Sequence, residues 1–135
     1  GGQLGSQLVK AILQQMKEVK VMAVGTNAIA TAAMLKAGAH QASTGENPVV
    51  VACRKADVII GPIGIVIADA MFGEVTPKMA VTVAQADAVR ILLPVNKCDN
   101  LVAGVPDLSM STLIDDVMVK LHGLEKQVAS GRKTC

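Results

Sequence analysis

Ala56-Asp57-Val58-Ile59-Ile60-Gly61-Pro62-Ile63-Gly64 is the stretch from which the rest of the chain can be read. A β-branched run that begins after a charge and stops at Gly-Pro has the pattern of a strand buried on both faces, which parallel sheets covered by helices produce. The same grammar recurs on either side of it. Lys20 to Val24 runs into Gly25-Thr26-Asn27, Ala39 to Ser43 into Thr44-Gly45-Glu46, and Val89 to Leu93 into Pro94-Val95-Asn96. Asn100 to Val105 is expected as an edge strand ended by Pro106.

Helices are expected between these strands. Leu8, Val9, Ile12, Leu13 and Met16 recur at helical spacing. Ala28 to Ala37 is an Ala-rich helix that Gly38 stops. Asn47 is expected to cap a helix with Pro48 at its first position and Val49 to Lys55 as its body, since proline's missing N–H costs nothing there. Ile65 to Phe72 reads as a helix despite its β-branched residues, and Thr76-Pro77 restarts one that reaches about Ala86. The last, Ser109 to about Val128, stripes Leu113, Val117, Leu121, Leu124 and Val128 on one side, before a polar tail from Ser130 to Cys135.

Alternating strands and helices predict an α/β fold: a doubly wound, mostly parallel, Rossmann-like sheet with helices on both faces, in one domain over residues 1–129. Gly1-Gly2-Gln3-Leu4-Gly5 opens a helix, and a turn of that kind is fed by a strand. The expectation is therefore a first strand upstream of Gly1, in the middle of the sheet, that this sequence lacks.

Composition narrows the classes. Hydrophobic residues are 51% of the 135 and charged residues 18%, enough for one core and incompatible with disorder. A net charge of +2, one Phe, no Tyr and no Trp argue against nucleic acid or an anionic membrane as partner. Three cysteines without a secretory signal stretch point to reduced thiols and a cytoplasmic protein. The longest apolar run, Val58 to Ala68, is too short to span a membrane.

In a parallel sheet every strand-to-helix turn opens on the same edge, so turns distant in sequence meet there. The residues so gathered are Gly1, Gly2 and Gly5; Gly25, Thr26 and Asn27; Thr44, Gly45 and Asn47; Gly61, Pro62 and Gly64; and Asn96. Glycines admit close backbone approach and helix N-termini favour anions, the chemistry a phosphate needs. The expected ligand is thus a nucleotide or dinucleotide. Only the Gly2-x-x-Gly5 half of a dinucleotide fingerprint is visible, and the acid that holds the ribose of NAD about twenty residues on is absent. Gly25, Thr26 and Asn27 stand in its place, which tilts the choice from NAD towards NADP, although no Arg accompanies them. The same glycines also have a purely architectural account, as tight turns and close helix–sheet contacts.

Other constellations carry less. Asn96-Lys97-Cys98-Asp99 matches the guanine-reading pattern of GTPases, yet no G-x-x-x-x-G-K-[ST] accompanies it. Cys53 and Cys98 have no base nearby in sequence, and two histidines with scattered thiols lack metal spacing. His122 reads as solvated on the last helix. Glu46 and Glu74, in turns before helices, are the best acid or base candidates, with favourable placement at a helix dipole as the plainer account. His40 is a further catalytic candidate.

Gly25-Thr26-Asn27-Ala28-Ile29-Ala30-Thr31, Met34-Leu35-Lys36-Ala37-Gly38-Ala39, Thr44-Gly45-Glu46-Asn47, Ala56 to Ala68, Gly73-Glu74-Val75-Thr76-Pro77 and Leu93-Pro94-Val95-Asn96 together resemble a bacterial family of short proteins known as domain of unknown function 3842. The resemblance runs to about Val105. It implies the fold, and a short apolar strand leading into the first glycine-rich turn, and it supplies no catalytic residues. Three functions compete: a small nucleotide-binding module; a homo-oligomeric or partner-binding protein that buries surplus apolar surface of residues 65–86; and a small enzyme using Glu46 or His40 on a phosphorylated metabolite.

Overall fold

A computed structural model describes residues 2–95, 97 and 99–130. In chain order the elements are α1 (Gly2–Gln15), β1 (Met22–Gly25), α2 (Ala28–Lys36), β2 (Gln41–Thr44), α3 (Glu46–Lys55), β3 (Val58–Pro62), a 3-10 turn (Ile63–Val66), α4 (Pro77–Gln85), β4 (Val89–Leu93) and α5 (Met110–Ser130). Gly1, Asn96, Cys98 and residues 131–135 lie outside the described residues, as does the side chain of Val128.

The fold is mixed α/β with parallel strands. The expected single sheet is found instead as two parallel pairs, β1 with β2 and β3 with β4. Met22 to Gly25 pair in register with Gln41 to Thr44, and Val58 to Pro62 with Val89 to Leu93. Among the described residues no strand pairs with the second edge of β1 or of β3. Those edges line an open slot of about 750 Å³ that Leu4, Leu8 and Ile12 of α1 and Ala52, Cys53 and Val83 of α3 and α4 also wall.

Packing follows from the apolar spacing. Leu4, Leu8 and Ile12 of α1 and Met16 just after it meet Leu113, Val117 and Leu121 of α5 over Ile91 and Leu93 of β4. Val9 and Ala23 join α1 to β1, with Met34 of α2 against them. On α4, Met79 and Ala80 pack with Ala70 and Val75, against which Val49 of α3 rests.

Capping explains most of the boundaries. Asn27 Oδ1 accepts from Ala30 N–H at 2.9 Å and starts α2, which ends before Gly38 at φ 115°. Thr76 Oγ1 accepts from Met79 N–H at 3.1 Å to start α4, with Pro77 at its first position. For α3 the cap is Gly45 rather than Asn47, and Pro48 falls at the third position; the first four N–H groups of a helix have no internal partner, so proline is tolerated there too.

Two expectations are corrected. Ile65 to Phe72 is not a helix: after the short 3-10 turn the chain passes through turns with left-handed backbone at Asp69, Met71 and Phe72. Backbone bonds from Asp69 N–H to Val75 O (2.8 Å) and Val75 N–H to Ala70 O (3.1 Å) replace the helical ladder that crowded β-branched residues disfavour. Asn100 to Val105 forms no strand. Leu101 is 96% exposed there, and a turn from Val105 N–H to Val102 O takes the place of a sheet partner.

Leu93, 1% exposed, is the most deeply buried side chain of the α1–α5 core. Leu93→Ala is expected to remove about 2–5 kcal/mol of stability. Urea denaturation checks this as a lower midpoint at unchanged slope; a loss well under 1 kcal/mol would contradict this packing.

Candidate functional site

The carboxyl ends of β1 and β3 and the first turn of α1 bring several predicted residues together. Gly5, Gly25, Thr26, Gly61 and Pro62 all line the same slot. Each glycine has a different reason to be there. Gly5 lies within α1, and a Cβ on it would come within 2.5 Å of Met34 Sδ, so it sets how closely α1 approaches α2. Gly2 is the first residue of the same helix, so residues 2–5 form its first turn rather than a separate loop. At Gly25 a Cβ would stand 2.2 Å from Thr31 Oγ1 and 2.8 Å from Thr31 N. A Cβ on Gly61 would meet only the tip of Ile65, at 2.9 Å.

Thr31 ties this corner together. Its hydroxyl donates to Asn27 O (3.0 Å) and lies 2.7 Å from Thr44 Oγ1, while Gly45 N–H donates to Gly25 O at 3.1 Å. The turns after β1 and β2 therefore form one hydrogen-bonded corner. Nothing local in the sequence marks Thr31, because its partners come from the parallel register.

Two carboxylates bridge between turns. Glu46 Oε2 accepts from Thr76 Oγ1 at 2.5 Å, so one hydroxyl both caps α4 and joins it to the start of α3. Glu74 Oε1 accepts from Thr26 Oγ1 at 2.6 Å and from Asn27 Nδ2 at 3.2 Å. Those two bonds, that from Thr26 foremost, hold the Glu74 carboxyl below the usual carboxylate range, so it is ionised at neutral pH.

The remaining predicted residues stand elsewhere. Asn47 faces a separate cavity of about 240 Å³ beside β1 and β2, with Val51 and Lys55. Gly64 is buried in the 3-10 turn, its carbonyl accepting from Ile67 N–H at 3.0 Å. Gly1 and Asn96 lie outside the described residues. His40 precedes β2 at its amino end, where Nδ1 accepts from Val21 N–H at 3.0 Å. Glu46 follows the carboxyl end of that strand, so the two catalytic candidates are a strand length apart. Burial pushes the Cys53 thiol up, away from a reactive thiolate.

An α/β protein with parallel strand pairs and a glycine-lined, carboxylate-bridged turn edge is the class these observations define. The chain belongs to the family described as Domain of unknown function (DUF3842), whose model matches residues 1–126. No curated protein and no solved structure matches it. No helix among the described residues is long and apolar enough to cross a membrane.

The glycines separate by what surrounds them. Gly25→Ala forces a Cβ against the backbone of Thr31 and is expected to cost about 1–3 kcal/mol. Gly123→Ala, in α5 with open space around it, is expected to stabilise by about 0.5–1 kcal/mol. Chemical denaturation of both variants checks the contrast; a Gly25→Ala protein as stable as the parent would contradict the corner geometry.

Proposed function

We propose that the two strand pairs are halves of one doubly wound, Rossmann-like parallel sheet, and that its turn edge binds a nucleotide or dinucleotide. The slot between β1 and β3 supports the first part. It has an unpaired strand edge on each side and apolar side chains from α1, α3 and α4 above and below, which are the requirements of a central parallel strand. With such a strand inserted, the order along the sheet becomes β2, β1, the inserted strand, β3, β4. The connection changes direction on either side of that strand, and open α/β sheets bind their ligands at such a place.

The observation that carries the binding reading is that Gly5, Gly25, Thr26, Gly61 and Pro62 all line the slot. The first turn of α1 supplies N–H groups suited to a phosphate. Thr26 and Asn27 offer polar side chains beside it. A sensing or accessory role fits this arrangement as well as catalysis does, since Glu46 and His40 do not share a cleft.

A thermal-unfolding panel of NAD, NADP, ATP, GTP and S-adenosylmethionine tests the reading. Ligand at about a hundred times its dissociation constant adds roughly 2.7 kcal/mol, a rise of several degrees in Tm for a chain of this size. A selective rise is expected for one adenine nucleotide class. A flat panel would contradict the reading and favour the self-associating alternative, whose surface would include the exposed Phe72 and Val81.

A further inference from the structure

Thr26 and Asn27, the residues that follow β1 on the turn edge, both donate to a single oxygen of Glu74. That glutamate comes from 48 positions further along the chain than Thr26. Its loop is a built support rather than a loose connection. Ala70 and Val75 are each 2% exposed within it, and the paired backbone bonds between 69–70 and 75 fix its base. The left-handed residues Asp69, Met71 and Phe72 persist because these contacts over-determine the path. The frame thus holds the Glu74 carboxylate against the end of β1 while leaving it open to solvent.

The charge at this corner has the wrong sign for a phosphate. Glu74 makes no ion pair with any described residue, and no described donor reaches its second oxygen, Oε2. An ionised carboxylate repels anions and accepts from hydroxyl groups. The Thr26 and Asn27 donors, which in the sequence alone suit a 2′-phosphate, are already turned onto that carboxylate. A neutral pair of adjacent hydroxyls is the group this corner suits, and a nucleotide presents one on its ribose.

We propose that Glu74 is a specificity-determining residue of the turn edge: it accepts from the 2′,3′-diol of an unphosphorylated ribose and rejects a ribose that carries a 2′-phosphate. The acid missing at the end of β1 in the local sequence is supplied across the fold from the loop before α4. The inference rests on the nucleotide reading of the turn edge and reverses the tilt towards NADP.

Isothermal titration of the full chain with NAD and with NADP, repeated on Glu74→Gln, tests it. The parent is expected to bind NAD about tenfold more tightly than NADP, through the like charge and the lost diol contact together. Glu74→Gln removes the charge and is expected to narrow that ratio to about threefold or less, mainly through a gain for NADP. A comparison of ATP with 2′-deoxy-ATP on the parent protein needs no variant, and loss of the 2′-hydroxyl is expected to weaken binding about tenfold. Equal or tighter binding of NADP, an unchanged ratio in a folded Glu74→Gln, or indifference to the 2′-hydroxyl would each overturn the role of Glu74 and leave the nucleotide site standing. Absence of binding by every nucleotide would overturn both.

Discussion

The inner edges of β1 and β3 constrain everything else in this molecule. Backbone N–H and C=O groups in a sheet interior need partners, and here one row of each strand faces an open slot instead of another strand. The side chains around that slot are arranged as if it were an interior. Leu4, Leu8 and Ile12 are buried on α1, and on the other side stand Met79 and Val83 of α4, also buried. On the proposal above, the slot with its apolar walls and polar strand edges takes an extended segment that bonds on both edges and presents apolar side chains above and below.

The same constraint organises the turn edge. Gly25 and Thr26 at the end of β1, Gly61 and Pro62 at the end of β3 and Gly5 in the first turn of α1 all line the slot. Two carboxylates then reach across what the strands have assembled: Glu46 joins α3 to the cap of α4, and Glu74 joins the loop before α4 to the turn after β1. Glu46 accepts from the same Thr76 hydroxyl that caps α4. Glu74, held by Thr26 and Asn27, remains open to solvent.

Much of this was legible in the sequence, for physical reasons that can be named. Val58 to Pro62 and Val89 to Leu93 were readable because β-branched runs ended by Pro or Gly-Pro leave few alternatives, and Asn27, Thr76 and Gly38 announce helix boundaries by side-chain chemistry or backbone freedom. Family membership was legible from the longer strings around Gly25 and Gly61. The segment after Ile63 was not, because its conformation is decided by bonds to Val75 that only the folded chain supplies. Asn100 to Val105 failed as a strand for want of a buried face. The assembly of Thr31, Thr44 and Gly25, and the arrival of Glu74 beside Thr26, depend on register and on a distant loop, which residue spacing does not encode.

The central claim is that the slot is the place of a strand, and amide hydrogen exchange measured residue by residue tests it most directly. The 135-residue chain is compared alone and with a short apolar strand-forming peptide, flanked by lysines for solubility. The account predicts fast exchange at the slot-facing amides of Met22–Gly25 and Val58–Pro62 in the chain alone, and slowing by about tenfold or more when the peptide is added, with no such effect from a proline-interrupted peptide of the same length. Inner-edge amides that are already protected in the chain alone, or that exchange at the same rate with either peptide, would contradict it.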